Sequence, residues 1–289
     1  MPSLLRLLRP QQYAKNLLVF AAPGAAGRLD EPDIVAKTVL AFVLFSAVSS
    51  LGYVVNDMLD VDADRAHPTK KHRPIASGEV SIQRAVQVLA MLGVPAALLS
   101  LVLGWNFVLT LAAYAAISLT YSTFLKRTPW IELVAISGGF LMRAVAGGAA
   151  TGTPISGWFL LVVSAGALLV ITGKRLGELL ALGGRSPSRK VLAGYQRKQL
   201  QLVATVAAGL AVGGYATWAA AGANNQAPDS SGSLVLRLTV VPFALAIGRY
   251  LILSWRGAGE TPESLIVRDP LMLFAGASWI ILYSMGLYL

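Results

Sequence analysis

The chain has 289 residues, 55% of them hydrophobic and 13% charged, with a mean hydropathy of +0.64, which is too apolar for a water-soluble domain of this length. The formal charge of +10 does not indicate nucleic acid, because the basic residues sit in short loops between apolar runs and not in one patch or tail. With no cysteine, disulfides, thiolate metal sites and a cysteine nucleophile are excluded.

Apolar runs near the roughly 20 residues that a bilayer-spanning helix needs recur along the sequence. The opening M-P-S-L-L-R-L-L-R-P lacks the apolar core of a cleavable signal, so the mature chain is expected to begin at Met1. Arg6, Arg9 and Lys15 precede a first span from about Asn16 to Gly27, kinked by Pro23. The second, Lys37 to Asn56, delivers the chain to a polar loop that lasts to about Ser81. Spans three and four, about Ile82 to Leu103 and Trp105 to Phe124, meet at a tight turn around Gly104 and Asn106. After Lys126 and Arg127, span five, Pro129 to Ala150, carries Gly138, Gly139, Gly147 and Gly148, which permit close helix association within or between protomers and so admit a homo-oligomer.

Span six, Trp158 to about Gly173, ends in G-K-R-L-G-E-L and opens a second long, basic loop to Lys198. Span seven runs from about Leu200 to Ala221, and a loop whose one charge is Asp229 leads to span eight, Leu234 to Trp255, and span nine, Pro270 to Leu289. The expected fold is all-α, a single polytopic membrane helical bundle over residues 1–289 with about nine transmembrane helices. Alternating loops put Arg6, Arg9, Lys15, the cations of the first long loop, Lys126, Arg127 and the 174–198 loop, with Arg185, Arg189 and Lys190, on one side. Arg28, Lys37 and Arg237 are left on the other. The positive-inside rule makes the two long loops cytoplasmic, in a multi-pass protein of the plasma membrane. Trp105, Trp130, Trp158 and Trp255 fall near the interfaces as belt anchors.

Carboxylates and cations crowd together in Tyr53 to Arg73, Y-V-V-N-D-M-L-D-V-D-A-D-R-A-H-P-T-K-K-H-R. A helix continued to Asp64 would put Asp57, Asp60 and Asp64 on one face, with Asp62 on the opposite one. Three like charges on a face need neutralising, and a hard divalent cation, Mg²⁺ above all when phosphates complete its shell, is the usual answer. Arg65, His67, Lys70, Lys71, His72 and Arg73 follow within a dozen residues. Metal-binding carboxylates beside phosphate-binding cations suit a Mg²⁺-bound diphosphate. A solvated loop on anionic lipid would explain the cations but not the aligned aspartates.

N-D-M-L-D-V-D-A-D, Asn56 to Asp64, resembles the first aspartate-rich motif of the UbiA prenyltransferase superfamily. Further segments narrow the resemblance to its decaprenyl-phosphate phosphoribosyltransferase branch and cover nearly the whole chain. They are R-P-Q-Q-Y-A-K-N-L-L-V-F-A-A-P, D-A-D-R-A-H-P-T-K-K-H-R-P-I-A-S-G, Y-S-T-F-L-K, R-A-V-A-G-G-A-A and G-K-R-L-G-E-L. Where ordinary members carry a second aspartate-rich motif, this chain has Gly173, Lys174, Arg175 and Glu178, and two cations in place of two carboxylates suit direct phosphate contact.

The resemblance implies transfer of 5-phosphoribose from phosphoribosyl pyrophosphate to a polyprenyl (decaprenyl) phosphate, releasing pyrophosphate, towards lipid-linked arabinose donors for cell-wall arabinan and arabinogalactan. Asn56, Asp57, Asp60 and Asp64 are the candidates for Mg²⁺ and the leaving pyrophosphate, with the three aspartates as the catalytic set. Lys15, Arg65, Lys70, Arg73, Lys126, Lys174 and Arg175 are the candidates for the phosphates of either substrate. Arg143, deep in span five, reaches either a lipid phosphate or a partner within the bundle. Arg249 and Glu132, near span ends, are accounted for by snorkelling alone, and His67 and His72 are weaker candidates. The competing readings are a UbiA-type enzyme prenylating an aromatic acceptor, against which the missing second motif argues, and a lipid transporter or flippase. The latter would place its charges at the bilayer midplane.

Overall fold

The computed structural model describes residues 2–182, 190–221 and 230–288; Arg185, Arg189 and Asp229 lie outside them. Every regular element among the described residues is helical, and the chain divides into two compact units, one ending at Pro154 and one beginning at Ile155.

The first unit opens with α1 (Ser3–Leu8), a 3₁₀ segment (Pro10–Phe20) and α2 (Ala21–Ala25). α3 (Pro32–Leu59), α4 (Val61–Arg65), α5 (Ile82–Ser100), α6 (Trp105–Thr123) and α7 (Ile131–Thr151) follow. α3 starts on Pro32 with Asp33 in its first turn, and Ser81 caps α5 by accepting the Arg84 N–H at 3.2 Å. The α5–α6 turn is made at Gly104, whose φ of +87° strains any residue with a Cβ. In its core Val19 and Ala41 pack with Phe45, Phe107, Leu111 and Ala146. The second unit holds α8 (Gly157–Leu182), α9 (Arg197–Ala221), α10 (Ser230–Leu238), α11 (Val240–Trp255), α12 (Pro262–Arg268) and α13 (Pro270–Tyr288). Its core joins Leu169, Ala204, Ala207 and Tyr250.

Among the described residues seven helical stretches are long and apolar enough to cross a membrane: Pro32–Leu59, Ile82–Leu103, Ile131–Thr151, Gly157–Ala181, Arg197–Ala221, Ser231–Trp255 and Pro270–Tyr288. Two of the nine expected spans fall outside that set. α6 is helical over 19 residues, but Asn106, three threonines, two serines and two tyrosines lower its hydropathy. Thr110 and Thr123 spend their hydroxyls on backbone carbonyls four residues back, and Tyr114 is buried. The expected first span is an eleven-residue 3₁₀ segment followed by the five residues of α2. At about 2 Å per 3₁₀ residue and 1.5 Å per α residue it would reach about 30 Å if straight.

The 3₁₀ segment is seated on α7. A Cβ on Gly147 would overlap the Val19 carbonyl oxygen, so only glycine lets the two backbones come this close. Arg143 fixes the same seat: its Nε donates to Asn16 Oδ1 at 2.8 Å, Nη1 to Gly139 O at 2.7 Å and Nη2 to the Tyr114 hydroxyl at 2.9 Å. The faces of Tyr114, Phe140 and Phe45 lie 4.8, 5.4 and 5.7 Å from the guanidinium. Arg143 is 6% exposed, and its hydrogen bonds to Asn16, Gly139 and Tyr114 favour a role within the bundle.

At the Pro32 end of α3, Arg28 pairs with Glu31 at 2.7 Å and also donates to Thr153 at 3.2 Å, while Lys37 pairs with Asp33 at 2.7 Å. A hydrogen bond from Arg28 holds the Glu31 carboxyl below its ordinary pKa. In the second unit Arg249 pairs with Asp269 at 2.8 Å, and Glu132 in the first is 1% exposed with bonded company. Glu132 therefore does not snorkel as expected, whereas the partly exposed Arg249 is compatible with snorkelling and is ion-paired as well.

Gly147→Ala should overpack this seat and cost about 1–3 kcal/mol. The expected result is a lower thermal midpoint in detergent, against no loss for Gly209→Ala, where a Cβ meets open space.

Candidate active site

α3 carries Asp57 in its last turns and ends at Leu59; Asp60, with φ −98° and ψ 8°, is a joint before α4, which carries Asp64. The expected unbroken helix to Asp64 is therefore interrupted at Asp60, although the Asp64 N–H still donates to the Asp60 carbonyl at 2.8 Å. Asp57 and Asp64 are each 2% exposed, whereas the Asp62 side chain is 92% exposed and faces Arg65 at 3.4 Å. The expectation that Asp62 points away from its neighbours matches this placement.

Arg73 binds the two buried carboxylates together. Its Nη1 donates to Asp57 Oδ1 at 3.0 Å and to Asp64 Oδ2 at 2.7 Å. The loop that presents it is held by an apolar plug: Ile75, Val80 and Ala85 bury against Leu7 and Val54. Backbone bonds from Ser77 N to Arg73 O and from Val80 N to Pro74 O close the turn. Lys126, in a short 3₁₀ turn after α6, donates to both oxygens of Asp60 at 2.6 and 2.8 Å. Arg9 Nη2 reaches Asp57 Oδ1 at 2.6 Å.

The other sequence candidates are placed less uniformly. Arg65 turns to Asp62 and to the Ala76 carbonyl and is half-exposed. Lys15, Asn56 and Lys70 are partly exposed, and His67 accepts the backbone N–H groups of Thr69 and Lys70 through Nδ1, a local turn contact; His72 is exposed. In the second unit Arg175 is 5% exposed and donates to Glu178 at 2.5 Å, while Lys174 is partly exposed. Arg175 is thus already charge-paired by a residue of its own motif. The two glycines of G-K-R-L-G have a packing role besides. A Cβ on Gly173 would stand 2.6 Å from Ser254 Oγ, and one on Gly177 would stand 2.5 Å from the Glu260 backbone nitrogen.

Among the described residues no three His, Cys, Asp or Glu side chains gather closely enough to hold an ion, so the expected four-residue metal set is not assembled as one cluster. Asp57 and Asp64 nevertheless converge on a single cationic nitrogen, and Asp57 Oδ2 is buried without a hydrogen-bond partner. Arg73 Nη1 bridges one oxygen of each carboxylate and leaves Asp57 Oδ2 open. Mg²⁺ is commonly held by one or two carboxylates with waters and substrate phosphates filling the octahedron, so these residues fit that ion as a site shared with a substrate.

Sequence reasoning missed Arg9 as a site residue, having read it only as a topological charge. Its signal is weak: an arginine before Pro10, closing α1. The structure adds a positive φ of 52° and a guanidinium 5.0 Å from the centre of the Tyr53 ring. Gly259 was also missed; a Cβ there would overlap the Gly173 carbonyl.

The fold and this site define a polytopic helical membrane protein that concentrates paired carboxylates and cations at one end of its first unit. The chain belongs to the UbiA prenyltransferase family, whose profile matches residues 17–263. It is 38% identical over 285 residues to the decaprenyl-phosphate phosphoribosyltransferase of Mycolicibacterium smegmatis, covering 96% of this chain and 90% of that one. The Corynebacterium glutamicum protein of the same name is 35% identical, with 99% and 87% covered. A solved UbiA homologue from Archaeoglobus fulgidus, bound to DMAPP and Mg²⁺, shares the fold with a TM-score of 0.69 at 15% identity, over 99% of this chain and 98% of that one.

Removing one carboxylate of the Asp57–Arg73–Asp64 bridge takes away one of the two charge-assisted hydrogen bonds on Arg73 Nη1, at a cost of about 1–3 kcal/mol. Asp57→Asn and Asp64→Asn are expected to lower both thermal stability and divalent-metal binding, measured by Mn²⁺ titration, whereas Asp62→Asn stays within about twofold of the parent in both.

Proposed function

We propose that the chain transfers 5-phosphoribose from phosphoribosyl pyrophosphate to a polyprenyl phosphate, decaprenyl phosphate among them, and releases pyrophosphate. The observation that carries this reading is the likeness, at 35–38% identity over nearly their full length, to proteins named decaprenyl-phosphate phosphoribosyltransferase. The replacement of an acidic second motif by Lys174 and Arg175 supports it, because a monophosphate acceptor calls for cations and not for a second metal.

In this reaction an acceptor phosphate oxygen forms the bond to C1 of the ribose as the bond from C1 to the diphosphate oxygen breaks. The acceptor oxygen is already ionised at neutral pH, so no general base is needed. The protein's work is to position the two substrates and to stabilise the departing charge. Mg²⁺, when bound, supplies charge neutralisation at the leaving diphosphate. Asp57 and Asp64 hold it, with Asp60 and Asn56 beside them. Arg73, Lys126, Lys15, Lys70 and Arg65 serve the donor's phosphates, and Lys174, with Arg175 oriented by Glu178, serves the acceptor. The whole chain acts as one domain in the plasma membrane, with these residues at its cytoplasmic face and the product feeding lipid-linked arabinose donors of the cell wall. The cations of the site end and the self-neutralised pairs Arg28–Glu31 and Lys37–Asp33 at the other end of α3 support that orientation.

Purified protein given Mg²⁺, phosphoribosyl pyrophosphate and decaprenyl phosphate should form lipid-linked phosphoribose and lose at least about a hundredfold in rate when the metal is chelated. No such product under any detergent or nanodisc condition, with prenylation of an aromatic acceptor by a prenyl diphosphate instead, would overturn the reading.

A further inference from the structure

We propose that Arg9 is a counterion on loan: it neutralises Asp57 while the metal is absent and moves to the donor's diphosphate when metal and donor bind together. The proposal rests on the reading of Asp57 and Asp64 as the metal-holding pair.

Charge balance leads to it. Asp57, Asp60 and Asp64 are matched one for one by Arg9, Arg73 and Lys126 through contacts of 2.6 to 3.0 Å. The cluster is thus close to neutral, and a divalent cation arriving alone would bring two uncompensated charges into a site where Asp57 and Asp64 are 98% buried. A diphosphate arriving alone would meet carboxylates. The two together cancel, and the displaced guanidinium finds phosphate oxygens that it can grip in bidentate fashion.

Arg9 is the partner best built to move. Arg73 bridges two carboxylates from a loop fixed by buried Ile75 and Val80, whereas among the described residues Arg9 pairs with one carboxylate, that of Asp57, through one nitrogen. It stands outside α3, at the joint between α1 and the 3₁₀ segment, with a backbone φ of 52° that a non-glycine residue rarely holds and a side chain 23% exposed. Tyr53, one turn before Asp57 on α3, lies under the guanidinium, a face along which it can slide without full desolvation. The unpartnered Asp57 Oδ2 lies on the very carboxylate that Arg9 occupies, so the carboxylate keeps one acceptor open.

Exchange of this kind makes metal and donor binding mutually dependent, and that is measurable without turnover. Mn²⁺ binding to detergent-purified protein is followed by electron paramagnetic resonance, with and without phosphoribosyl pyrophosphate. For Arg9→Gln the expected result is a donor-free Mn²⁺ affinity at least about tenfold higher than the parent's and a donor affinity, at saturating metal, at least about tenfold lower. Arg9→Lys, which keeps the charge, should stay within about threefold in both. The opposite signs separate this role from a structural one, because a variant that merely loosens the fold weakens both ligands and lowers the thermal midpoint. Unchanged or weakened donor-free Mn²⁺ binding in Arg9→Gln overturns the proposal. Failure of the proposed reaction with an intact Mn²⁺ response overturns the choice of donor and leaves the counterion role of Arg9 standing.

Discussion

Asp57 and Asp64 share one guanidinium, and the fold around them is arranged to keep that sharing possible. Two carboxylates 98% removed from solvent would repel each other strongly without a cation between them. Arg73 provides it from a loop whose position depends on ordinary apolar burial: Ile75, Val80 and Ala85 against Leu7 and Val54. The joint at Asp60 turns α4 enough for Asp64 to converge with Asp57 while Asp60 itself faces Lys126. Charge, loop and helix break are therefore one arrangement. Altering the plug would move Arg73, and altering Arg73 would leave the carboxylates facing each other.

A second arrangement holds the N-terminal segment. Arg143 is buried in the membrane portion of the first unit among an amide, a phenol, a backbone carbonyl and three aromatic faces. The guanidinium is stabilised there by dipoles and ring quadrupoles. Asn16, which takes its Nε, also donates to Ser46 and Ser49 on α3, so α3 and α7 clamp the 3₁₀ segment from two sides. Lys15 adjoins Asn16 in sequence and Arg9 closes the helix before the segment, so the clamp fixes the level at which both cations emerge.

Much of this was legible in the residues. Long apolar runs announced the helices, and the aspartate spacing separated Asp57 and Asp64 from outward-facing Asp62, because those signals are local and periodic. Span counting was less secure for α6 and for the N-terminal 3₁₀ segment. α6 hides its hydroxyls in backbone bonds, and the 3₁₀ segment carries a buried Asn16 whose partner is 127 residues away. Counterion choice was not legible. Nothing in sequence distance says that Arg9 meets Asp57 across 48 residues, or Lys126 meets Asp60 across 66. Arg175, a candidate phosphate ligand, also donates to Glu178 of its own motif.

The glycines of G-K-R-L-G bear on how such chains are recognised. Gly173 and Gly177 form a notch on α8 into which the backbone around Gly259 and Glu260 fits. A pattern keyed to Lys174 and Arg175 alone would accept chains in which a side chain fills that notch and the 257–260 turn has nowhere to sit. The spelling that reads as an electrostatic motif is therefore also a steric one, and Gly259, some eighty positions downstream, belongs to it as much as either cation does.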